Sequence, residues 1–167
     1  MITIVTAAPL IDVRSAALET ARVEGRVFIA DPTPTLCRQF GFQTLYEMPR
    51  EIQTEARRSL IREHRARVEQ GGAVFDHGVV GWLADWMRWH WSSTTTEVWD
   101  AVMDEARAIA RGYGRVDHLE SGGRRAYDGH AWLDARNSAQ IEGLMRHLYD
   151  ELGLAPRVRY LGRARAA

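Results

Sequence analysis

"ITIVTAAPLIDVRSAALETARVEG", residues 2–25, decides how this chain is read. Its first five residues form a β-branched run with no polar face of its own, as in a strand covered on both sides of a sheet. From Val13 onward the spacing of Ala16, Ala17 and Ala21 is that of a helix, and Asp12 stands where an N-cap belongs. A buried strand, a short loop and a helix make the first half of a parallel crossover.

The same alternation continues downstream. "RVFIA" at 26–30 reads as a second buried strand, closed by the turn-forming "DPTPT". "PREIQTEARRSLIREHRARVE" at 49–69 is a long charged amphipathic helix with proline at a tolerated first position, and "QGG" ends it. "AVFDH" at 73–77 is a third strand, followed by helical patterns at 79–91 and 95–111, the second opening on threonine caps. "RVDHLES" is a fourth strand, "GGRRAYDG" a glycine-rich connection, "NSAQIEGLMRHLYDELG" a helix stopping at Gly153, and "RVRYL" at 157–161 a last strand. The final "GRARAA", 162–167, reads as a loose tail. This order implies an α/β fold, a three-layer sandwich around a five-stranded parallel sheet, with residues 1–167 as one domain.

Composition narrows the function classes. The chain has 167 residues, 46% of them hydrophobic, enough for one well-buried core. Its 22 basic and 22 acidic residues cancel, so no electrostatic footprint for nucleic acid is present. A single cysteine, Cys37, excludes an internal disulfide and a cysteine-based zinc site. With apolar runs far shorter than a bilayer span and no signal-peptide pattern at the N-terminus, the expectation is a cytoplasmic protein without membrane contact. All 22 basic residues are arginine and none is lysine, a bias typical of high-GC bacterial genomes. Chemistry that needs a lysine amine, as nucleophile or as the compact cation of a phosphate loop, is therefore closed to this chain.

Residues 8–15, "APLIDVRS", have the length and place of the phosphate-binding pattern G-x-x-x-x-G-K-[ST]. Ala8 and Val13 replace its glycines, Arg14 replaces its lysine, and only Ser15 matches. With "ADPTP" after the second strand, "VFDHGVVGWLADW" at the third, "SGGRRAYDGHAWLDAR" at 121–136 and the closing "LYDELGL", the chain resembles the P-loop nucleoside and nucleotide kinases in degenerate form. The resemblance implies a P-loop kinase-like topology, an acceptor-holding Asp31 beside Pro32, an Asp76 at the end of the third strand with His77 in place of the usual arginine, and a lid over 121–136. The altered loop argues against ATP chemistry: a β-branched Val13 does not take the positive φ that brings backbone amides onto phosphates, and arginine does not substitute for an ammonium in a tight cradle.

Candidate residues follow from these positions. Arg14 and Ser15 open a helix at the carboxyl edge of the sheet, where unpaired amides favour an oxyanion; the alternative is a relic loop with Arg14 paired to Asp12 or solvent. Asp31 and Asp76 end neighbouring strands on the same rim and are candidates to orient or deprotonate a hydroxyl or amine, with His77 as acid, base or anion donor. Asp31 reads equally as a turn residue, and His77 as a capping one. Arg124, Arg125 and Arg136 are candidates for a clamp on an anion. Trp82, Trp86 and Trp89 share a helical face and are either core, a pocket wall or a protein interface. Cys37 reads as a small apolar residue, and no histidine spacing makes a metal site, so neither metal nor cofactor is expected. The combined expectation is an enzyme without ATP chemistry that binds a phosphorylated or sulfated small metabolite and promotes elimination or intramolecular displacement in bacterial specialised biosynthesis. The rival is a catalytically silent pseudokinase that docks a partner protein, or a second copy of itself, through the tryptophan-rich helix.

Overall fold

The computed structural model describes residues 1–8, 12–120 and 135–162. Five strands, β1 (Ile2–Ala7), β2 (Val27–Ile29), β3 (Ala73–Phe75), β4 (Tyr113–Leu119) and β5 (Val158–Leu161), form one all-parallel sheet in the order β2-β3-β1-β4-β5. The helices are α1 (Val13–Glu24), α2 (Thr33–Gln39), α3 (Arg50–Gln70), α4 (Val79–His90), α5 (Thr96–Ala110) and α6 (Ala135–Glu151). The result is a three-layer α/β sandwich around a five-stranded parallel sheet, as the sequence implies.

Side chains alternate across the sheet and so divide the core. On one face Val5 and Val74 meet Ala17 and Ala21 of α1, whose small side chains let the helix lie close to the strands. On the other, Ile2, Ile4, Phe75 and Val116 pack against a larger cluster from α3 to α6, including Leu60, Leu83, Ala106 and Met145. Asp12 caps α1, its Oδ1 accepting from the Ser15 amide at 3.0 Å. Two glycines in the left-handed region, Gly71 (φ 72°) and Gly72 (φ 71°), turn the chain from α3 into β3, a geometry costly for other residues.

Two polar arrangements hold this frame. On α3, His64 Nε2 lies 2.6 Å from the Tyr113 hydroxyl of β4, and the same oxygen accepts from the Val79 amide at 3.2 Å. Burial drives the His64 imidazole down to about 3 and the Tyr113 phenol above its usual value. The pair is therefore neutral, with the phenol donating to the imidazole and fixing its tautomer. At the far side of the sheet, buried Asp117 on β4 accepts both nitrogens of Arg159 from β5, at 2.7 and 2.9 Å.

One short helix departs from the sequence reading. "DPTPT" reads as a turn, yet α2 begins at Thr33 inside it, immediately after Pro32. Among the described residues no helix is long and apolar enough to cross a membrane.

Candidate functional site

β1 lies between β3 and β4 while the chain leaves it toward α1, so the carboxyl ends of these strands open a crevice of the kind where α/β folds bind ligands. A cavity of about 530 Å³ occupies it. It is lined by Ala7 and Ala8 at the end of β1, with Asp76 and His77 after β3; Asp12, Val13 and Arg14 come from the start of α1. Asp31, Thr33 and Cys37 close a second side, the segment Gln43–Tyr46 a third, and Trp82, Asp85, Ile141 and Met145 a fourth.

Asp76 is enclosed, with 7% of its surface exposed. Its Oδ1 accepts the backbone N–H of Asp31 at 2.6 Å. The Asp31 carboxylate itself turns away onto the start of α2, where its Oδ1 accepts from the Thr33 amide at 2.9 Å and from the Thr33 hydroxyl at 2.6 Å. The Thr33 oxygen in turn accepts the indole N–H of Trp82 at 3.2 Å. Burial raises the Asp76 pKa above its ordinary value; the Asp31 amide opposes that shift, the Asp31 charge adds to it, and His77 and Arg14 oppose it again. Asp76 thus combines burial, a strong donor and a raised affinity for a proton, the properties of a group that moves one.

His77 packs on Trp82 with the rings tilted, centroids 5.1 Å apart, and the same indole meets His64 edge-on at 5.2 Å. Space for the His77 imidazole exists because residue 81 on α4 is glycine: a Cβ there would stand 2.6 Å from His77 Cε1 and 2.9 Å from Nε2. Asp85, one turn further along α4, pairs with the buried Arg57 at 2.9 Å and accepts from the Tyr46 hydroxyl at 2.6 Å. Tyr46, Asp85 and Gly81, and Arg57 through its pair with Asp85, carry no sequence signal of a site; only the folded chain brings them together here.

The candidate residues separate into groups. Asp31, Asp76, His77, Arg14 and Trp82 all line the cavity. Ser15 is exposed, does not line it, and has its amide engaged by the Asp12 carboxylate, which is held below its usual range by the Ser15 hydroxyl and amide. Arg136 is exposed on α6 and does not line the cavity, and Arg124 and Arg125 lie outside the described residues. Trp86 is core at 1% exposure, its indole N–H donated to the Thr94 hydroxyl at 2.8 Å, and Trp89 is half-buried against Tyr46. Cys37 is buried, and that burial pushes its thiol up, away from nucleophilic use. Among the described residues no group of three or more His, Cys, Asp or Glu side chains is placed to hold a metal ion.

Comparison with known proteins gives one kind of likeness. No protein-family model matches the chain, and no curated protein matches it. Among solved structures the chain is similar to the YorR protein of Bacillus subtilis, solved in complex with phosphorylated GDP, at 11% identity and a TM-score of 0.47, over 98% of this chain and 85% of that one.

The chemistry open to this chain follows from the cavity's own groups. Among the described residues, its lining brings together the buried Asp76 carboxylate, the Arg14 guanidinium and the His77 imidazole packed on Trp82. That set can withdraw a proton from a bound molecule while a negative charge develops or departs beside Arg14.

Proposed function

We propose that this protein is an enzyme that works without ATP on a small metabolite carrying a phosphate or sulfate group. Arg14, which lines the cavity from the start of α1, holds that oxyanion, with Arg124, Arg125 and Arg136 as further candidates for its clamp. Asp76 removes a proton from a hydroxyl, an amine or a carbon of the same molecule. In an elimination, the freed electron pair forms the new double bond as the phosphate or sulfate departs with its own bonding pair. In a displacement, the deprotonated hydroxyl or amine attacks the carbon that carries the leaving group and closes a ring. Either way the proton ends on Asp76 and the charge beside Arg14.

The observation that carries this reading is Asp76: a buried carboxyl with raised proton affinity that lines the cavity, within the field of Arg14. Two features turn it from phosphoryl transfer. The loop lacks both glycines and the lysine, and the α1 amide of Ser15 that would meet a phosphate already bonds the Asp12 carboxylate.

The test is release of inorganic phosphate or sulfate from a panel of small phosphate and sulfate esters, with no nucleotide present. A substrate should be found whose turnover falls about 100-fold or more in Asp76→Asn, with a raised KM in Arg14→Ala. Turnover that requires ATP or GTP, or tight binding of either nucleotide by calorimetry, would sink the proposal.

A further inference from the structure

Asp31 and Asp76 both line the cavity, yet they play unequal parts, and the difference traces to a residue with no acid–base chemistry of its own. Asp31 supports Asp76 only through its backbone N–H. Its carboxylate is drawn to the start of α2 by two donors, the Thr33 amide and the Thr33 hydroxyl, both on the same oxygen Oδ1. The Thr33 hydroxyl is itself directed: its proton goes to Asp31 because its lone pair receives the Trp82 indole N–H. Trp82 is 3% exposed and wedged between His64 and His77, so it cannot swing away.

We propose that Thr33 is a positioning residue that parks the Asp31 carboxylate on α2, so that of these two strand-end carboxylates Asp76 alone serves as the proton acceptor. This deepens the function proposed above and rests on it for its consequence. The charged and titratable groups that bear on Asp76 are Asp31 ahead of α2, His77 beside it and Arg14 on α1. Of these only Asp31 is a like charge whose approach would make Asp76 harder to ionise.

The experiment follows the Asp76 side-chain carboxyl by carbon-detected NMR titration of the free protein. Thr33→Val keeps the shape and removes the hydroxyl; Thr33→Ser keeps the hydroxyl. The Asp76 midpoint should rise by roughly half to one pH unit in Thr33→Val and remain at the wild-type value in Thr33→Ser. It should also remain unmoved when Thr33→Val is added to Asp31→Asn, where no second charge exists to approach. An unchanged midpoint in a folded Thr33→Val protein overturns the proposal, as does an equal rise with and without the Asp31 charge. Should Thr33→Val not fold, Thr33→Ala carries the same comparison. Because no substrate is involved, a failed turnover assay with Asp76→Asn leaves this outcome standing, and the reverse also holds.

Discussion

The backbone N–H of Asp31 donates to Asp76 Oδ1 across 2.6 Å, joining the two strand ends that flank the cavity. The bond crosses from β2 to β3 at the carboxyl rim, so it links sheet geometry to the acidity of one carboxyl. It survives in Asp76→Asn, whose side-chain oxygen still accepts, and so the charge can be removed without loosening the rim.

That leads to a stability prediction with a sign. A carboxyl whose folded pKa is raised above its unfolded value of 3.8 favours the native state at low pH, and this contribution is lost as pH rises through the folded value. At pH 7 the buried charge opposes folding. Asp76→Asn should therefore be at least as stable as wild type at pH 7, with the advantage gone below about pH 4. Urea unfolding at both pH values checks it; a large loss at pH 7 would contradict it.

His64 gives the opposite slope. Its folded value is about 3 against 6.5 unfolded, so below pH 6.5 the unfolded chain binds a proton that the native one refuses. Stability from this group should drop by up to about 1.4 kcal/mol per pH unit between those limits. His64→Met should be less stable at pH 7, because the Tyr113 hydroxyl loses its acceptor, but should flatten this part of the acid slope. Unfolding midpoints measured from pH 7 to pH 4 provide the comparison.

Gly81→Ala separates the site from the fold. Alanine is the better helix former by about 1 kcal/mol, but its Cβ would enter the space of the His77 imidazole at 2.6 Å. The thermal midpoint should hold while the His77 ring resonances shift and turnover falls. An unmoved His77 ring would mean that the glycine is incidental.

The tryptophans should divide by burial. Trp86→Ala removes a ring with 1% exposure and should cost about 3–5 kcal/mol in denaturant unfolding. Trp91→Ala, at 53% exposure, should cost less than about 1 kcal/mol. A protein docking on α4 and the turn after it would meet Trp89 and Trp91, because Trp82 and Trp86 are enclosed.

Strand and helix order was readable because each strand is a short apolar run and each long helix carries its own period and cap. Asp12 is a visible N-cap, and Asp31 and Asp76 do fall at neighbouring strand ends. The turn "DPTPT" hid α2, since its two prolines mask a helix only seven residues long. Ser15 looked like an anion donor because no local pattern reveals that Asp12 has already taken its amide. Nor does spacing reveal that Asp31 meets Asp76 with its backbone, or that His64 and Tyr113, 49 positions apart, share one proton-bearing contact. Those relations are tertiary, and a linear sequence encodes them only through the fold.

The two margins of the sheet bear on how the protein behaves at high concentration. β2 is three residues long and β5 four, and the Arg159 side chain of β5 is drawn back onto Asp117. Strands this short offer few free amides and carbonyls to a passing chain, and a charged side chain beside them hinders lateral growth. The sheet therefore terminates itself, which favours a protein that stays dispersed when it is overproduced and refolded.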